Sequence, residues 1–323
     1  MSKNLLISSF FSLFSPLLFA ESSHGILAGK NRASGLLPEI RLTPNEETKL
    51  ISFIAKKEFG GDWSKSVDWN PEEDFPSLGL GHYLWFPEGS KAPFNESFKD
   101  FIRFAYERDQ KDDLGLKFPE VLKLNNGEIA PAPWSTRDAF LKAKKSGALE
   151  ELVSFISNEK VRKLQLEYQL SHAKDVAEKA IVYNGEAGDQ KALSTTEERG
   201  AFLRELLQHP EGVALLVHYP TFKGDGFSPK ERYASGDGNK GWGFFQVLDQ
   251  AVKLPDSDPR VKQYRQSYSA KTPSIAKIRV AAESLLKDRA FNDKTTLNVG
   301  VDTRKTYIKS WNSALSVYGN ILN

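Results

Sequence analysis

Residues 43–61 read TPNEETKLISFIAKKEFGG and decide the first element of the fold. Thr43 and Glu46 form a capping box around a proline at the first helical position, a pattern that begins helices. Apolar side chains then recur at helical spacing, and two glycines follow that allow the left-handed conformation in which helices end. The stretch therefore predicts an amphipathic helix that ends just after Glu58.

Glu58 lies on the side of this helix that carries part of the apolar stripe, because it follows Ile54 by four residues and Ile51 by seven. Burial disfavours an ionised carboxylate, and the negative end of the helix dipole adds to that effect, so we expect a raised pKa. A carboxylic acid still protonated near neutral pH can donate a proton to a glycosidic oxygen. The sequence thus predicts Glu58 as a general acid, with a surface glutamate near a helix end as the alternative.

The next stretch, residues 62–93, alternates tryptophans, acidic residues, glycines and prolines, which is typical of a β-hairpin with loops. It contains SLGLGH at residues 77–82. A helix-terminal glutamate followed by Thr-x-Gly-x-Gly-His on a hairpin resembles the phage-type lysozymes of the lysozyme-like superfamily, here with serine for threonine. The resemblance implies Glu58 as the general acid, Ser77 as the hydroxyl that positions the attacking water, and His82 as the residue that closes the hairpin.

The same resemblance places the family's aspartate near Pro71, where this chain has no carboxylate. Three acidic residues, Glu72, Glu73 and Asp74, follow directly, and we favour Glu73 as the second catalytic carboxylate. A solvated acidic loop is the alternative interpretation. His82 is interpreted either as a member of the site or as a core histidine bonded to backbone.

A second loop-rich segment, residues 218–250, contains four glycines between positions 236 and 243. Its Gly241–Gln246 portion resembles the Gly-Leu-Met-Gln strand of lytic transglycosylases, another branch of the same superfamily. The resemblance implies that Trp242 and Gln246 bind glycan, whereas a buried strand beside a glycine loop is the alternative. The predicted sugar-binding residues are Trp85, Tyr233, Trp242 and Gln246.

Helical spacing dominates the rest of the chain. The predicted helical segments are 95–105, 139–145, 149–156, 161–183, 201–207, 274–286 and 304–318. Together with the small hairpin they indicate a mainly α (α+β) fold, with a lysozyme-like kernel at about 43–95 and a larger helical remainder. We expect one domain over 43–323 with two loop-rich islands, 60–95 and 218–250, that form two walls of a cleft.

The N-terminus and the composition bear on location. A basic residue, an apolar stretch and a small residue at position 20 predict a secretory signal over 1–20, followed by a flexible leader over 21–42. The chain has no cysteine, so the expected periplasmic or secreted protein needs no disulfide. A net charge of +2 and the lack of zinc-finger spacing or a basic stripe argue against nucleic acid as a partner.

These observations predict an exported glycoside hydrolase that cleaves β-1,4 links of peptidoglycan or a related amino-sugar polymer. We expect no cofactor and no metal, because the histidine spacing matches no metal motif, and no membrane partner once the signal is removed. The main alternative is a non-catalytic periplasmic protein that binds glycan or interacts with the envelope.

Overall fold

The structure is a computed structural model that describes residues 35–71, 73–90, 96–125, 127–183, 192–223, 244–267 and 273–292. The predicted signal over 1–20, most of the predicted leader, Glu72, Tyr233, Trp242 and the predicted helix over 304–318 lie outside the described residues.

Helices make up most of the described chain, and one small sheet accompanies them. The helices are α1 (Pro44–Phe59), α2 (Phe98–Asp112), α3 (Arg137–Lys145), α4 (Glu150–Ser157), α5 (Glu159–Val182), α6 (Thr196–Leu206), α7 (Pro210–Lys223), α8 (Phe244–Lys253), α9 (Pro259–Ser267) and α10 (Pro273–Asn292). The strands are β1 (Val67–Asp68), β2 (Ser77–Leu78) and β3 (Tyr83–Leu84), and Trp63–Lys65 and Glu120–Leu122 are short 3₁₀ turns. The mainly α (α+β) fold class predicted from the sequence is confirmed.

The helix α1 forms as its sequence predicts. The Thr43 amide donates to Glu46 Oε2 at 2.7 Å, and the Glu46 amide donates to Thr43 Oγ1 at 3.3 Å, so two free N–H groups of the first turn are satisfied. At the other end Gly60 and Gly61 have φ of 71° and 80°, the left-handed values that end the helix.

The sheet is antiparallel with strand order β1-β2-β3. Asp68 pairs with Ser77, and Ser77 pairs with Leu84 on its other side. Leu78 is the neighbour of both Val67 and Tyr83, and all three side chains are buried. Because side chains alternate across a strand, Asp68 and Ser77 lie on the opposite face of the sheet, together with the buried Leu84.

The chain divides into two compact units. Ile51–Gln169 belong to unit 1, and unit 2 comprises Gly29–Leu50 and Leu170–Asn323. The whole of the predicted island 60–95 falls in unit 1. The prediction of one domain over 43–323 stays a prediction, because this division describes compactness and not independent folding.

Aromatic side chains dominate the core of unit 1. Tyr83 stacks on Phe101 with ring centroids 4.7 Å apart, and Trp85 packs against Phe98 at 5.0 Å. Trp85 also meets Trp134 edge to face at 5.7 Å. These contacts attach the sheet to α2, and so they fix the position of the segment that precedes β3.

A buried arginine organises unit 2. Arg199 of α6 donates to the backbone oxygens of Ile181, Tyr183 and Ser194 at 2.6–3.1 Å. Asp249 of α8 accepts from the amides of Leu193 and Ser194, both at 2.8 Å. The pair thus satisfies backbone groups at the end of α5 and directly before α6.

The second island differs from its prediction. Residues 244–248, which lie in the predicted loop-rich island 218–250, belong to the helix α8, and α7 continues into the same island as far as Lys223. Phe245, Leu248 and Ala251 are all buried, and their spacing of three residues is helical rather than alternating. Helix α9 was not predicted, and α6 begins at Thr196, five residues before its predicted start.

None of the helices in the described part of the chain combines the length and the apolar content needed to span a bilayer.

Candidate active site

Glu58 occupies the last turn of α1, and its side chain is 11% exposed. Its Oε1 atom is buried and has no hydrogen-bond partner among the described residues. The helix carries the carboxyl group inward because Ile51, Ile54 and Ala55 bury the same side. A buried carboxyl group without hydrogen bonds is costly for folding, which makes it a candidate for chemistry.

His82 lies at the end of a tight turn between β2 and β3. Its φ is 47°, one of two positive values at non-glycine residues in the described chain, and Gly79 in the same turn has φ of 69°. The His82 amide donates to the Gly79 oxygen at 3.2 Å. The turn thus presents the imidazole, which is 32% exposed, beside the end of α1.

Glu73 is held by the backbone of the loop between β1 and β2. The indole Nε1 of Trp69 donates to the Glu73 oxygen at 2.7 Å, and the Glu73 amide donates to the Asn70 oxygen at 3.0 Å. Arg137 Nε donates to the Trp69 oxygen at 2.9 Å and ties this loop to α3. The Glu73 side chain is only 4% exposed, and its buried Oε2 finds no partner within the described structure.

The three side chains form one group, which we call the acid–histidine cluster: Glu58, Glu73 and His82. Glu58 Oε2 lies 3.9 Å from His82 Nδ1, and Glu73 Oε1 lies 3.7 Å from His82 Nε2. The imidazole therefore stands between two carboxyl groups, one at each nitrogen. Both distances are longer than a direct hydrogen bond, although contacts of this kind shorten when a substrate closes a site.

The electrostatics separate the members of the cluster. Burial raises the pKa of Glu58 to about 7, although the charge of His82 opposes this shift. Burial also lowers the pKa of His82, but the carboxylates of Glu73, Glu58 and Asp68 outweigh it and raise this pKa above 6.5. Near neutral pH the cluster therefore holds a partly protonated Glu58 beside an imidazole whose pKa is raised by its acidic neighbours.

Ser77 is buried on β2, directly opposite Asp68 of β1. Asp68 pairs with Lys144 Nζ at 2.9 Å, and the same ammonium donates to the Val67 oxygen at 3.1 Å. Ser77 is therefore the cross-strand neighbour of Asp68, a carboxylate that raises the pKa of His82. The role of Ser77 in positioning water stays a prediction.

The predicted aromatic platforms need correction. Trp85 is completely buried, and its indole donates to the Ala130 oxygen at 3.0 Å, so its ring has no open face for a sugar. Trp69 is also a core residue. Trp63 is half-buried, and one face of its ring is covered by the Arg162 guanidinium at 3.9 Å. The alternating aromatic residues of the hairpin therefore serve to pack the protein and do not offer an open ring face to a sugar.

Two of the remaining predicted residues cannot be placed. Tyr233 and Trp242 lie outside the described residues, whereas Gln246 lies on α8 and is half-buried. Gln246 belongs to unit 2 and the acid–histidine cluster to unit 1. Of the predicted catalytic set, the structure groups Glu58, Glu73 and His82.

Sequence reasoning missed Gln165, a fully buried residue of α5. Its Oε1 accepts from the Leu80 amide at 2.8 Å, inside the turn that leads to His82. A glutamine 85 residues beyond its partner leaves no local pattern. The Gly79 and Gly81 pair was the available signal, since each glycine marks a close approach of other atoms.

The described part of the chain contains no group of three or more histidine, aspartate or glutamate side chains arranged to hold a metal ion.

Comparison with known proteins gives a single result. No protein-family model, no curated protein and no solved structure matches this chain.

Proposed function

We propose that this protein is a glycoside hydrolase that cleaves β-1,4 links of peptidoglycan or a related amino-sugar polymer. One observation carries the proposal. Two carboxyl groups from separate elements, Glu58 and Glu73, meet at the two nitrogens of His82, and each keeps one buried oxygen without a partner in the described structure. A pair of carboxyl groups, one acid and one base or nucleophile, is what most glycosidases use.

Glu58 is the proposed general acid. Its pKa of about 7 leaves a large fraction protonated near neutral pH, so the carboxyl group can donate its proton to the leaving oxygen. His82 stands between the two acids, and their carboxylates favour its protonated form. We expect activity to fall as pH rises through about 7, because Glu58 loses the proton it must deliver.

Glu73 is the proposed second carboxylate. Its oxygen without a partner is available to activate water or to stabilise the positive charge that develops on the sugar. The Trp69 indole and Arg137 hold the loop in place by bonding its backbone, which leaves the carboxyl group free for this role. The structure supports Glu73 over Asp74, whose residue is exposed.

Location is part of the same proposal. The sequence of residues 1–20 supports export to the periplasm or the medium, where this polymer is found. N-terminal sequencing of the protein recovered outside the cytoplasm should begin at or near Glu21. Recovery of the intact Met1 terminus on an active cytoplasmic protein would contradict export without affecting the chemistry.

The test of activity uses purified cell walls in a gel overlay and in solution. The parent should clear the walls, and Glu58→Gln should lose activity by about 10²–10⁴-fold, the usual contribution of a general acid. Glu73→Gln should also be strongly impaired. The matched control is Glu120→Gln, an exposed carboxylate of unit 1 that is 81% exposed and paired with Lys123, and it should clear the walls as the parent does.

The alternative function gives a different pattern in the same assay. A glycan-binding protein without catalysis would sediment with the walls and release no sugar, and Glu58→Gln would leave its binding unchanged. Mass spectrometry of the released fragments identifies the bond that is cut. Release by the parent and Glu58→Gln at equal rates would overturn the catalytic assignment.

A further inference from the structure

The turn that carries His82 has to be held in a conformation that its own sequence does not favour. His82 has a positive φ of 47°, a region that residues with a side chain seldom occupy. Such a conformation persists where the surroundings determine it, and it is found most often at functional sites. We therefore expect contacts from other parts of the fold to hold this turn.

Gln165 of α5 forms hydrogen bonds with this turn. Its Oε1 accepts from the Leu80 amide at 2.8 Å, and its Nε2 donates to the Ile156 oxygen at 2.9 Å. The Tyr83 hydroxyl donates to the backbone oxygen of the same residue at 3.2 Å. One fully buried residue of α5 thus contacts the chain on both sides of His82 and links it to the end of α4.

The turn is shaped to receive this amide. A Cβ atom built on Gly79 would lie 2.0 Å from Gln165 Oε1, and one built on Gly81 would lie 2.2 Å from the Tyr83 ring. Any side chain at position 79 would displace the amide oxygen from the Leu80 N–H. The two glycines therefore have a packing reason in addition to their backbone freedom.

Three acidic side chains on three different elements raise the pKa of the imidazole. Glu58 comes from α1, Glu73 from the loop before β2, and Asp68 from β1, where Lys144 of α3 partly neutralises it. The hydrogen bonds of Gln165 go to Leu80, Ile156 and Tyr83, none of which carries one of these acids. We therefore expect displacement of the turn to move His82 relative to the acids.

We infer that Gln165 is a positioning residue, which fixes the Gly79–Tyr83 turn so that the His82 imidazole stands between the carboxyl groups of Glu58 and Glu73. It acts through the turn and has no contact with the reacting atoms. The inference that Gln165 affects catalysis rests on the proposed hydrolase function. The inference that Gln165 fixes the geometry of His82 is independent of that function.

The test follows His82 directly in protein labelled with ¹⁵N-histidine. The His82 signal is assigned by its loss in His82→Gln, and its pH titration is then compared among variants. Gln165→Leu removes both amide contacts, and Gln165→Asn retracts the amide by one methylene. In both, the imidazole should lose its two carboxylate neighbours, so its pKa should move away from the parent value and its signal should broaden or shift.

Two further variants separate positioning from packing. Gln165→Glu keeps an acceptor for the Leu80 amide and should restore the parent titration in part. Gln169→Leu replaces the buried glutamine one turn later on α5, whose Oε1 has no partner in the described part of the chain. It should leave the His82 titration unchanged.

The outcomes are distinct. An unaltered His82 titration in folded Gln165→Leu or Gln165→Asn would overturn the inference, as would an equal change in Gln169→Leu. If Gln165→Leu does not fold, the asparagine and glutamate variants decide. With a wall-clearing parent, Gln165→Asn should lower kcat at least 10-fold with a changed pH profile. With a parent that clears no wall, the proposed function fails while the titration still tests Gln165.

Discussion

At the scale of single residues, the protonation of Glu58 should be visible in the stability of the protein. Folding moves this group to a site where its pKa is about 7, against 4.5 for an ordinary glutamate. Between these values the folded state binds more protons than the unfolded state, so the free energy of unfolding decreases as pH rises from about 4.5 to 7 and stays lower above that range.

Glu58→Gln should therefore be more stable than the parent at about pH 8, by about 2–3 kcal/mol, and close to it near pH 4. The reason is that glutamine has no charge to bury. Urea unfolding at both pH values measures the difference. The exposed control Glu120→Gln should follow the parent at each pH, and a Glu58→Gln variant that does the same would contradict the burial of an ionisable group.

The second prediction concerns His82. Removal of either carboxylate neighbour weakens the stabilisation of the imidazolium, so Glu73→Gln and Glu58→Gln should each lower the pKa of His82. Asp68→Asn should have a smaller effect, because Asp68 is also bound to Lys144. Titration of the imidazole by NMR measures all three. Equal pKa values in the parent and in Glu73→Gln would show that the Glu73 contact does not form in solution.

At the scale of elements, a glycine in the hairpin turn and a glycine beyond β3 separate two contributions to stability. Gly79 and Gly89 both have positive φ, of 69° and 76°, but nothing lies within 4 Å of a Cβ built on Gly89. Gly89→Ala should cost about 1–2 kcal/mol for the backbone alone. Gly79→Ala should cost about 1–3 kcal/mol more, because it also displaces Gln165 and leaves the buried Leu80 amide without an acceptor.

Chemical denaturation of both variants gives the two costs. Equal losses in the free energy of unfolding would mean that the 79–81 turn can shift and keep the hydrogen bond between Leu80 and Gln165. A larger loss for Gly89→Ala would contradict the close approach of Gln165 to the turn.

Several elements could be predicted because their signals are local. The capping box at Thr43 and the glycines at 60 and 61 define both ends of α1, and the structure has both. Helix α6 has the same kind of signal, a capping box formed by Thr195 and Glu198. The predicted start of this helix, residue 201, was five residues too late because the prediction left this capping box out. Correct prediction here depends on side chains that satisfy their own helix end.

Helices α7 and α8 show where local signals fail. Residues 213–217 of α7 are all buried, so their side chains carry no amphipathic period that would distinguish a helix from a strand. At the start of α8 the preceding glycines suggested a loop beside a strand, but Phe245, Leu248 and Ala251 face the core at helical spacing. Tertiary burial decides such segments.

At the scale of the whole molecule, the stability of unit 2 depends on a buried charge that no local sequence pattern predicts. Arg199 is fully buried, donates to three backbone oxygens and lies 3.9 Å from Asp249. Arg199→Met should cost about 3–5 kcal/mol, because it leaves the buried carbonyls without their donor and removes the positive charge beside the Asp249 carboxylate. Urea unfolding followed by circular dichroism measures this loss.

A second cation of unit 2 provides the control. Lys253 pairs with Glu198 at 2.7 Å, but both side chains are 42% exposed. Lys253→Met should therefore change the free energy of unfolding by about 1 kcal/mol or less. Similar losses for the two variants would contradict the structural role of the buried arginine.

The site follows the same division between local and distant information. Glu58 and His82 were predicted because each ends a local pattern, a helix in one case and a glycine-rich hairpin in the other. Trp85 was misassigned because an exposed platform and a core aromatic have the same alternating pattern. The interaction of Gln165 with Leu80 spans 85 positions, and no local pattern predicts a contact of that range.

That long span also sets an order of assembly. A nascent chain that has reached α4 already contains both acids and the imidazole, but not the glutamine that holds the turn between them. We therefore expect the cluster to be completed only after α5 has been synthesised, and a protease cut ahead of α5 would separate all three groups from the residue that holds their turn.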